Sequence, residues 1–376
     1  MALFVCAGAA RAQQEPPRRL ELDSRSTDSL PNDTLSRRHE SSRELRSRFV
    51  RDQTVLGFAV YAPAFAAAVA DDGITGTAAY LVMAGGSFFA AAELTRHVQI
   101  TEARLLLSSG MALRGAASAL LVATQSEAGA RQLGAYTLIG GLGGTAVGLG
   151  LGGGLTGGEA SATLFGHDLA FLSAMALTYV SDATPFDDFG TDKSTSAATW
   201  TVAGWLGYAA GRMYAGHAPY NVTVGDVQTL WLGGSIGALA AGTAIASSDP
   251  SNGVIASTLL GGTLVGVFGA DRLLVRLYDH SRTEGNLVSL GGAAGAVMGI
   301  GIGVLVSGKA DRGGSATIGF ATLGAIGGVA MAERYLRPTR DSGRLALLDR
   351  VQLDPMGVVA VATGRPGHHA LLRYTF

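Results

Sequence analysis

Three short patterns carry residue types of familiar chemistries. Gly233-Gly234-Ser235-Ile236-Gly237 satisfies G-x-S-x-G, where a strained strand-to-helix turn exposes a serine nucleophile. Its surroundings are an apolar, glycine-rich run of helical character, with no strand before it. The run from Gly303 to Lys309 approaches a phosphate-binding loop, but Ala310 stands where a serine or threonine would hold magnesium. Gly141-Leu142-Gly143-Gly144-Thr145-Ala146 imitates a dinucleotide fingerprint because glycine is abundant, and packing explains it better. No catalytic residue, cofactor site or metal site is expected, and the chain is read as a non-enzyme.

Arg114 and the adjacent pair His167 and Asp168 are different, because they interrupt apolar runs long enough to cross a membrane. Ionisable groups in lipid are costly and turn toward a partner or water. One reading is a polar path or proton relay through a helix bundle. The other is a register pair, with Arg114 snorkelling or bound to Asp168. The second is preferred, since no further carboxylate or histidine at helical spacing extends the set.

Composition fixes the setting. Only 15% of the 376 residues are charged, below the roughly 25% of ordinary globular chains, while 48% are hydrophobic. With 55 glycines and few aromatics, the apolar material is mostly small, which favours close helix contact over bulky cores. A net charge of -1 offers nucleic acid no cationic face. The one cysteine, Cys6, lies in the leader, so the remaining chain can form no internal disulfide or thiolate metal site.

Four domains follow. Residues 1–12 read as a signal-peptide remnant with a small-x-small cleavage pattern at Ala10-Arg11-Ala12, and the missing basic region predicts a leader that continues upstream of Met1. Residues 13–46 are a polar flexible linker, helical at most beyond Ser41. Residues 47–337 hold ten apolar stretches of helix-spanning length, near 52–70, 75–95, 102–123, 133–153, 160–179, 197–214, 225–246, 254–275, 286–306 and 315–335. Residues 338–376 are a β-rich tail.

Within the third region Thr101, Thr156, Thr223 and Thr283 each open an apolar run, Asp341 echoes them, and Arg212, Arg272 and Arg334 close the later hairpins. Thr156 with Glu159 and Thr223 with Asp226 match helix N-caps. Gly291, Gly295, Gly299 and Gly303 recur every fourth residue, as do Gly140, Gly144, Gly148 and Gly152. On a helix that spacing lines one face with hydrogen-only side chains, a glycine zipper. The fold class is therefore mainly α: five Gly/Ala-rich helical hairpins, about ten helices, with a small C-terminal β segment. A soluble hairpin solenoid and a transmembrane β-barrel are the alternatives. Pro63 should kink the first helix, and Trp200, Trp205 and Trp231 are placed as interface anchors.

The ending Leu372-Arg373-Tyr374-Thr375-Phe376 resembles the terminal signature of bacterial outer-membrane proteins, a last strand ending in Phe with an aromatic two residues earlier. Over those ten or so residues the resemblance implies targeting through Tyr374 and Phe376, with outer-membrane assembly machinery as partner. The arginine-rich connections between hairpins would instead put both termini in the cytoplasm of an inner membrane. Giving the targeting ends more weight, the sequence reads as a bacterial envelope protein, outer membrane favoured over inner. Its work is structural or pore-like, lipid is its partner, and an oligomer is compatible; the alternative is a secondary transporter.

Overall fold

A computed structural model describes residues 32–126, 128–180, 193–307, 313–336, 351–353 and 372–374. The chain divides into two units at Arg43 and Glu44. The first contributes only helical residues from Asn32 onward, the start of α1 (Asn32–Leu56). That start lies inside the stretch read as linker. The leader, the start of the linker and Phe376 lie outside the described residues. The tail contributes two three-residue strands, β1 (Val351–Leu353) and β2 (Leu372–Tyr374).

The second unit is helical from Glu44 to Leu336 wherever it is regular and described, which overturns the β-barrel alternative for this region. After α1 a π-turn, Gly57–Tyr61, leads into α2 (Ala62–Val69). Pro63 explains the turn, because its ring has no N–H to donate one turn back and crowds that carbonyl. The ladder adapts by widening, and the Ala62 N–H reaches Gly57 O. Then follow α3 (Gly73–His97), α4 (Glu102–Thr124), α5 (Ala130–Leu151), α6 (Gly157–Val180), α7 (Lys193–His217), α8 (Val224–Ile245), α9 (Asn252–Ala270), α10 (Arg282–Ser307) and α11 (Gly313–Leu336). A second π-turn, Asp271–Val275, extends α9.

Side-chain caps start the first helix of each later hairpin. Thr101 Oγ1 accepts from Arg104 N, and Thr156 with Glu159 and Thr223 with Asp226 form reciprocal boxes. For α10 the expected cap moves two residues upstream. Ser281 Oγ accepts from Glu284 N while the Glu284 carboxylate accepts from Ser281 N, leaving Thr283 in the first turn. The reason is reciprocity: only Ser281 has an acid three residues on.

Adjacent helices pair as α2–α3, α4–α5, α6–α7, α8–α9 and α10–α11, the five hairpins that the sequence predicts. Glycines set these contacts. Gly115 and Gly140 face each other's carbonyls, as do Gly166 and Gly207, Gly233 and Gly266, Gly237 and Gly262, Gly291 and Gly328, and Gly295 and Gly324. Gly144 lies on the Met111 carbonyl, Gly148 on that of Leu107, and Gly152 on the Arg104 backbone. Gly299 covers the Phe320 carbonyl, and a Cβ on Gly303 would come 2.6 Å from Thr317 Cα. No methyl group fits at any of these positions without parting the helices.

Hairpins stack by a second repeated rule. From the second hairpin onward each first helix packs on the next first helix, α4 on α6, α6 on α8 and α8 on α10, and all four first helices from α2 to α8 pack on the second helix of the following hairpin: α2 on α5, α4 on α7, α6 on α9, α8 on α11. At the cap end Gly158 abuts the Val222 carbonyl, and Gly225 abuts those of His280 and Ser281, so successive N-termini touch through backbone. A side-chain contact between Arg282 and Glu102 links α10 back to α4.

Alanine is the commonest buried apolar residue, and Phe49, Leu107, Met111 and Leu230 are the largest apolar side chains that are buried completely. Large apolar side chains lie outside: Phe89, Val265 and Leu305 are exposed by 71, 73 and 74%. Eight helical stretches are long and apolar enough to cross a membrane: Ser42–Val69, Gly73–His97, Glu102–Thr124, Ala130–Gly154, Gly157–Val180, Asn252–Val275, Arg282–Val306 and Ser315–Leu336. Helices α7 and α8, expected among ten such stretches, do not meet that measure among the described residues. Polar residues lower them: Ser196, Thr199 and Thr201 in α7, and Asp226 and Gln228 in α8.

The glycine contacts give a paired test. Gly295→Ala places a Cβ against the Gly324 carbonyl and is expected to cost about 2 kcal/mol or more, the scale of overpacking. Gly301→Ala meets open space and should gain about 0.5 to 1 kcal/mol from helix propensity. Equilibrium unfolding in detergent would separate the two signs.

Candidate functional site

The residues singled out for chemistry come together where α4, α6 and α7 meet. Arg114 lies midway along α4 and Asp168 midway along α6. The Arg114 Nε donates to Asp168 Oδ1 at 2.6 Å, and a second guanidinium nitrogen bonds Oδ2, a bidentate pair. Its remaining nitrogen donates to Gly110 O at 3.0 Å, one turn back. Gly110 itself faces the Leu164 side chain, so a larger residue there would have to displace it.

Asp168 and His167 are neighbours in sequence, and successive helical residues project about 100° apart. Asp168 therefore reaches α4 while His167 turns to α7. The His167 Nδ1 lies 3.0 Å from Asp168 Oδ1, so one carboxylate oxygen serves both the arginine and the imidazole. The imidazole packs parallel to Phe171, with centroids 6.1 Å apart, and lies 4.7 Å from the Tyr208 ring. Gly204 admits it, since a Cβ there would come 2.7 Å from Nε2. His167 is 4% exposed and Tyr208 7%, yet the His167 Nε2 and the Tyr208 hydroxyl have no hydrogen-bond partner. Tyr208 was not among the residues read from the sequence as candidates. The adjacent Trp205, 5.2 Å from it by centroid, looks in sequence like an interface anchor.

Chemically the arrangement is an ion pair plus a base. Arg114 and Asp168 cancel in charge, Asp168 holds the tautomer that carries its proton on Nδ1, and the Nε2 lone pair is left available.

Two further polar clusters escaped the sequence reading. His280 is wholly buried between Asp226 and Glu333, with Nδ1 3.1 Å from Asp226 Oδ1 and Nε2 2.7 Å from Glu333 Oε1. The backbone N–H of His280 donates to the same Asp226 oxygen at 2.8 Å, and Thr223 Oγ1 bonds the His280 carbonyl. Asp226 thus caps α8 and ties hairpin four to hairpin five. The second cluster centres on Asp271, which accepts from Tyr214 at 2.9 Å, Tyr220 at 2.6 Å and Arg276 at 2.7 Å. Burial, then the bonds to Asp271 and Tyr214, push the Tyr220 hydroxyl well above the usual tyrosine range, so it remains a donor. The signal was present in Asp271-Arg272 and Glu333-Arg334. The arginines were read as helix-closing cations, while the acid before each does the tying.

The borrowed motifs do not form sites. Ser235 lies inside α8, its Oγ donating to Trp231 O at 2.9 Å, as an ordinary helical serine does. Gly141 and Gly144 lie inside α5 and pack against Tyr61 and the Met111 carbonyl. Of the phosphate-loop resemblance, Gly303 to Ser307 end α10, and Lys309 and Ala310 lie outside the described residues. Trp200 is buried rather than anchored at an interface, its Nε1 donating to Thr178 at 3.2 Å. Among the described residues no group of three His, Cys, Asp or Glu is arranged to hold a metal ion. Comparison with family models, curated proteins and solved structures finds no match to this chain.

Two mutational outcomes follow from the buried charges. Glu333→Gln leaves the Asp226–His280 contact short of one carboxylate and is expected to destabilise by about 3 kcal/mol, as when one member of a buried ionic group is removed. Asp168→Asn should destabilise more than the double change Asp168→Leu with Arg114→Met, because only the single change strands a cation among apolar helices. Chemical denaturation in micelles measures both.

Proposed function

We propose that this chain is a non-enzymatic, multi-spanning membrane protein of a bacterial cell envelope, a stack of five hairpins joined by glycine zippers, with structural or pore-like work. One observation carries the reading. The molecule is built with small residues inside and large apolar residues outside, the reverse of a soluble core. Alanine and glycine bring backbones together, while residues such as Phe89, Leu206, Val265 and Leu305 face outward, where lipid would meet them. A solenoid in water would leave that surface wet.

Although α7 and α8 fall short in hydropathy, they lie along helices that do not. α7 meets α6 at Trp200 with Thr178 near one end and at Gly211 with Ala162 near the other, so it runs the length of a candidate span. α8 meets α9 at Gly233 with Gly266 and Gly237 with Gly262. All five hairpins therefore occupy one slab. The connections between hairpins then share one side, with Arg96, Arg104, Arg272, Arg276 and Arg282 near it, while Asp71, Asp72 and Asp249 lie opposite. In our reading the arginine side is cytoplasmic.

In our reading the membrane is the inner one, with the outer membrane as the alternative. Helices of mean hydropathy 1.2 to 1.8 satisfy their own backbone hydrogen bonds and suit a lipid bilayer, and that supports this reading. The second reading, a secondary transporter with a polar path through Arg114, His167 and Asp168, is favoured by the two unpaired polar atoms buried beside that pair.

Separation of inner and outer membranes, followed by alkaline extraction, should leave the protein in the inner-membrane pellet. Single cysteines at 72 and 249, in a background with Cys6 replaced, should react with an impermeant maleimide from the side opposite cysteines at 99 and 279. Release by alkali would overturn the membrane reading, and same-side labelling would overturn the hairpin topology.

A further inference from the structure

We infer that the His167 Nε2 is a proton-binding site, formed jointly by α4, α6 and α7, whose ligand is a proton delivered by water. The inference rests on the packing of these three helices and only secondarily on their crossing a membrane.

The site is built on one side and unpartnered on the other. Asp168 engages Nδ1 at 3.0 Å and is itself clamped by Arg114 through two nitrogens, so the tautomer and ring plane are set by two charged partners. Nε2 then carries the lone pair. It is buried, it has no hydrogen-bond partner, and it faces Gly204, the one residue type that leaves it room. The Tyr208 hydroxyl, also buried and unpaired, belongs to the ring packed against the imidazole. Two polar atoms left without partners in one contact are expensive. Both belong to groups that can take or give a hydrogen.

The size of the gap limits the ligand. A Cβ on Gly204 would come within 2.7 Å of Nε2, so the nitrogen is packed against this glycine and no solute fits there without parting α6 from α7, whereas a proton adds without needing that room. The step is simple: a water-borne proton adds to the Nε2 lone pair, an N–H bond forms, and the cluster goes from +1 - 1 + 0 = 0 to +1 - 1 + 1 = +1, counting Arg114, Asp168 and His167 in that order. Asp168, facing Nδ1, stabilises the imidazolium. Arg114 opposes it. Asp168 and Arg114 are thus positioning residues.

The other charged groups on the elements packed against α6 are engaged or remote. α8 contributes Asp226, held by His280, and the extension of α9 contributes Asp271, held by Tyr214, Tyr220 and Arg276, with Arg272 beside it. α4 adds Glu102 and Arg104 at its start, and α7 adds Lys193 at its start and Arg212, Tyr214 and His217 in its last turns. Among the charged and titratable groups of the described residues, Arg114, Asp168 and Tyr208 face the imidazole.

Nitrogen NMR on full-length protein with isotope-labelled histidine, in lipid nanodiscs and again in micelles, reads the protonation of each ring nitrogen. The His167 signals can be assigned by contact with the rings of Tyr208 and Phe171, without a variant. At alkaline pH the ring should carry its proton on Nδ1 alone, and acid titration should add a second at Nε2. Asp168→Asn should weaken that uptake at least tenfold, and Asp168→Glu should restore most of it. A ring that carries its proton on Nε2 at alkaline pH, or that takes up none on acidification, overturns the inference. So does uptake unchanged in Asp168→Asn. If Asp168→Asn fails to fold, the wild-type tautomer and titration decide alone. The micelle measurement keeps this result separate from the membrane reading, which the extraction experiment tests.

Discussion

Everything in this architecture depends on how closely two backbones can approach when neither carries a side chain at the contact. Where Gly115 meets Gly140, Gly166 meets Gly207 and Gly295 meets Gly324, each residue lies on the other's carbonyl. Dispersion and weak Cα–H to oxygen contacts accumulate there, and no water is needed between the helices. That constraint explains why large apolar residues are displaced to the outside. It also explains why so few polar groups suffice to fix the register of each pair.

The polar groups that do occur are placed at joints rather than along the contacts. Arg114 with Asp168 joins hairpin two to hairpin three, Asp271 with Tyr214 and Tyr220 joins three to four, and Asp226 with His280 and Glu333 joins four to five. Glycine contacts are interchangeable along a helix, since a slip of four residues brings the next glycine into place. A charged bond is not, and one at each of these three joints removes the ambiguity. The two kinds of interaction therefore divide the work: glycines supply closeness, and buried ionic groups supply uniqueness.

Much of this was legible because it is local. The four-residue spacing of Gly140, Gly144, Gly148 and Gly152 identifies a helix face, and all four residues pack against α4. Thr156 with Glu159 and Thr223 with Asp226 announce helix starts in four letters. What stayed hidden is what depends on pairing across hairpins. Nothing near His280 in sequence points to Asp226 or Glu333, each more than fifty residues away, and Tyr208 looks like any aromatic in an apolar run. The cap at Ser281 was missed because Thr283 is the better match to the earlier repeats, although the acid that decides lies three residues after the serine. Pro63 predicts a disturbance but not its form. Whether a helix bends or widens depends on what its neighbours allow, and here Tyr61, in the widened turn, bonds Thr145 of α5.

The stacking rule bears on how such a chain could be made. Each hairpin closes on contacts within itself, as Gly115 with Gly140 or Gly237 with Gly262 illustrate, and each new first helix docks on the one synthesised just before it. Local closure is fast, and docking in chain order means that no element must wait for a distant partner. A nascent chain can therefore be finished unit by unit as it leaves the ribosome. The Arg282 to Glu102 contact, spanning three hairpins, would form only when the last unit has arrived.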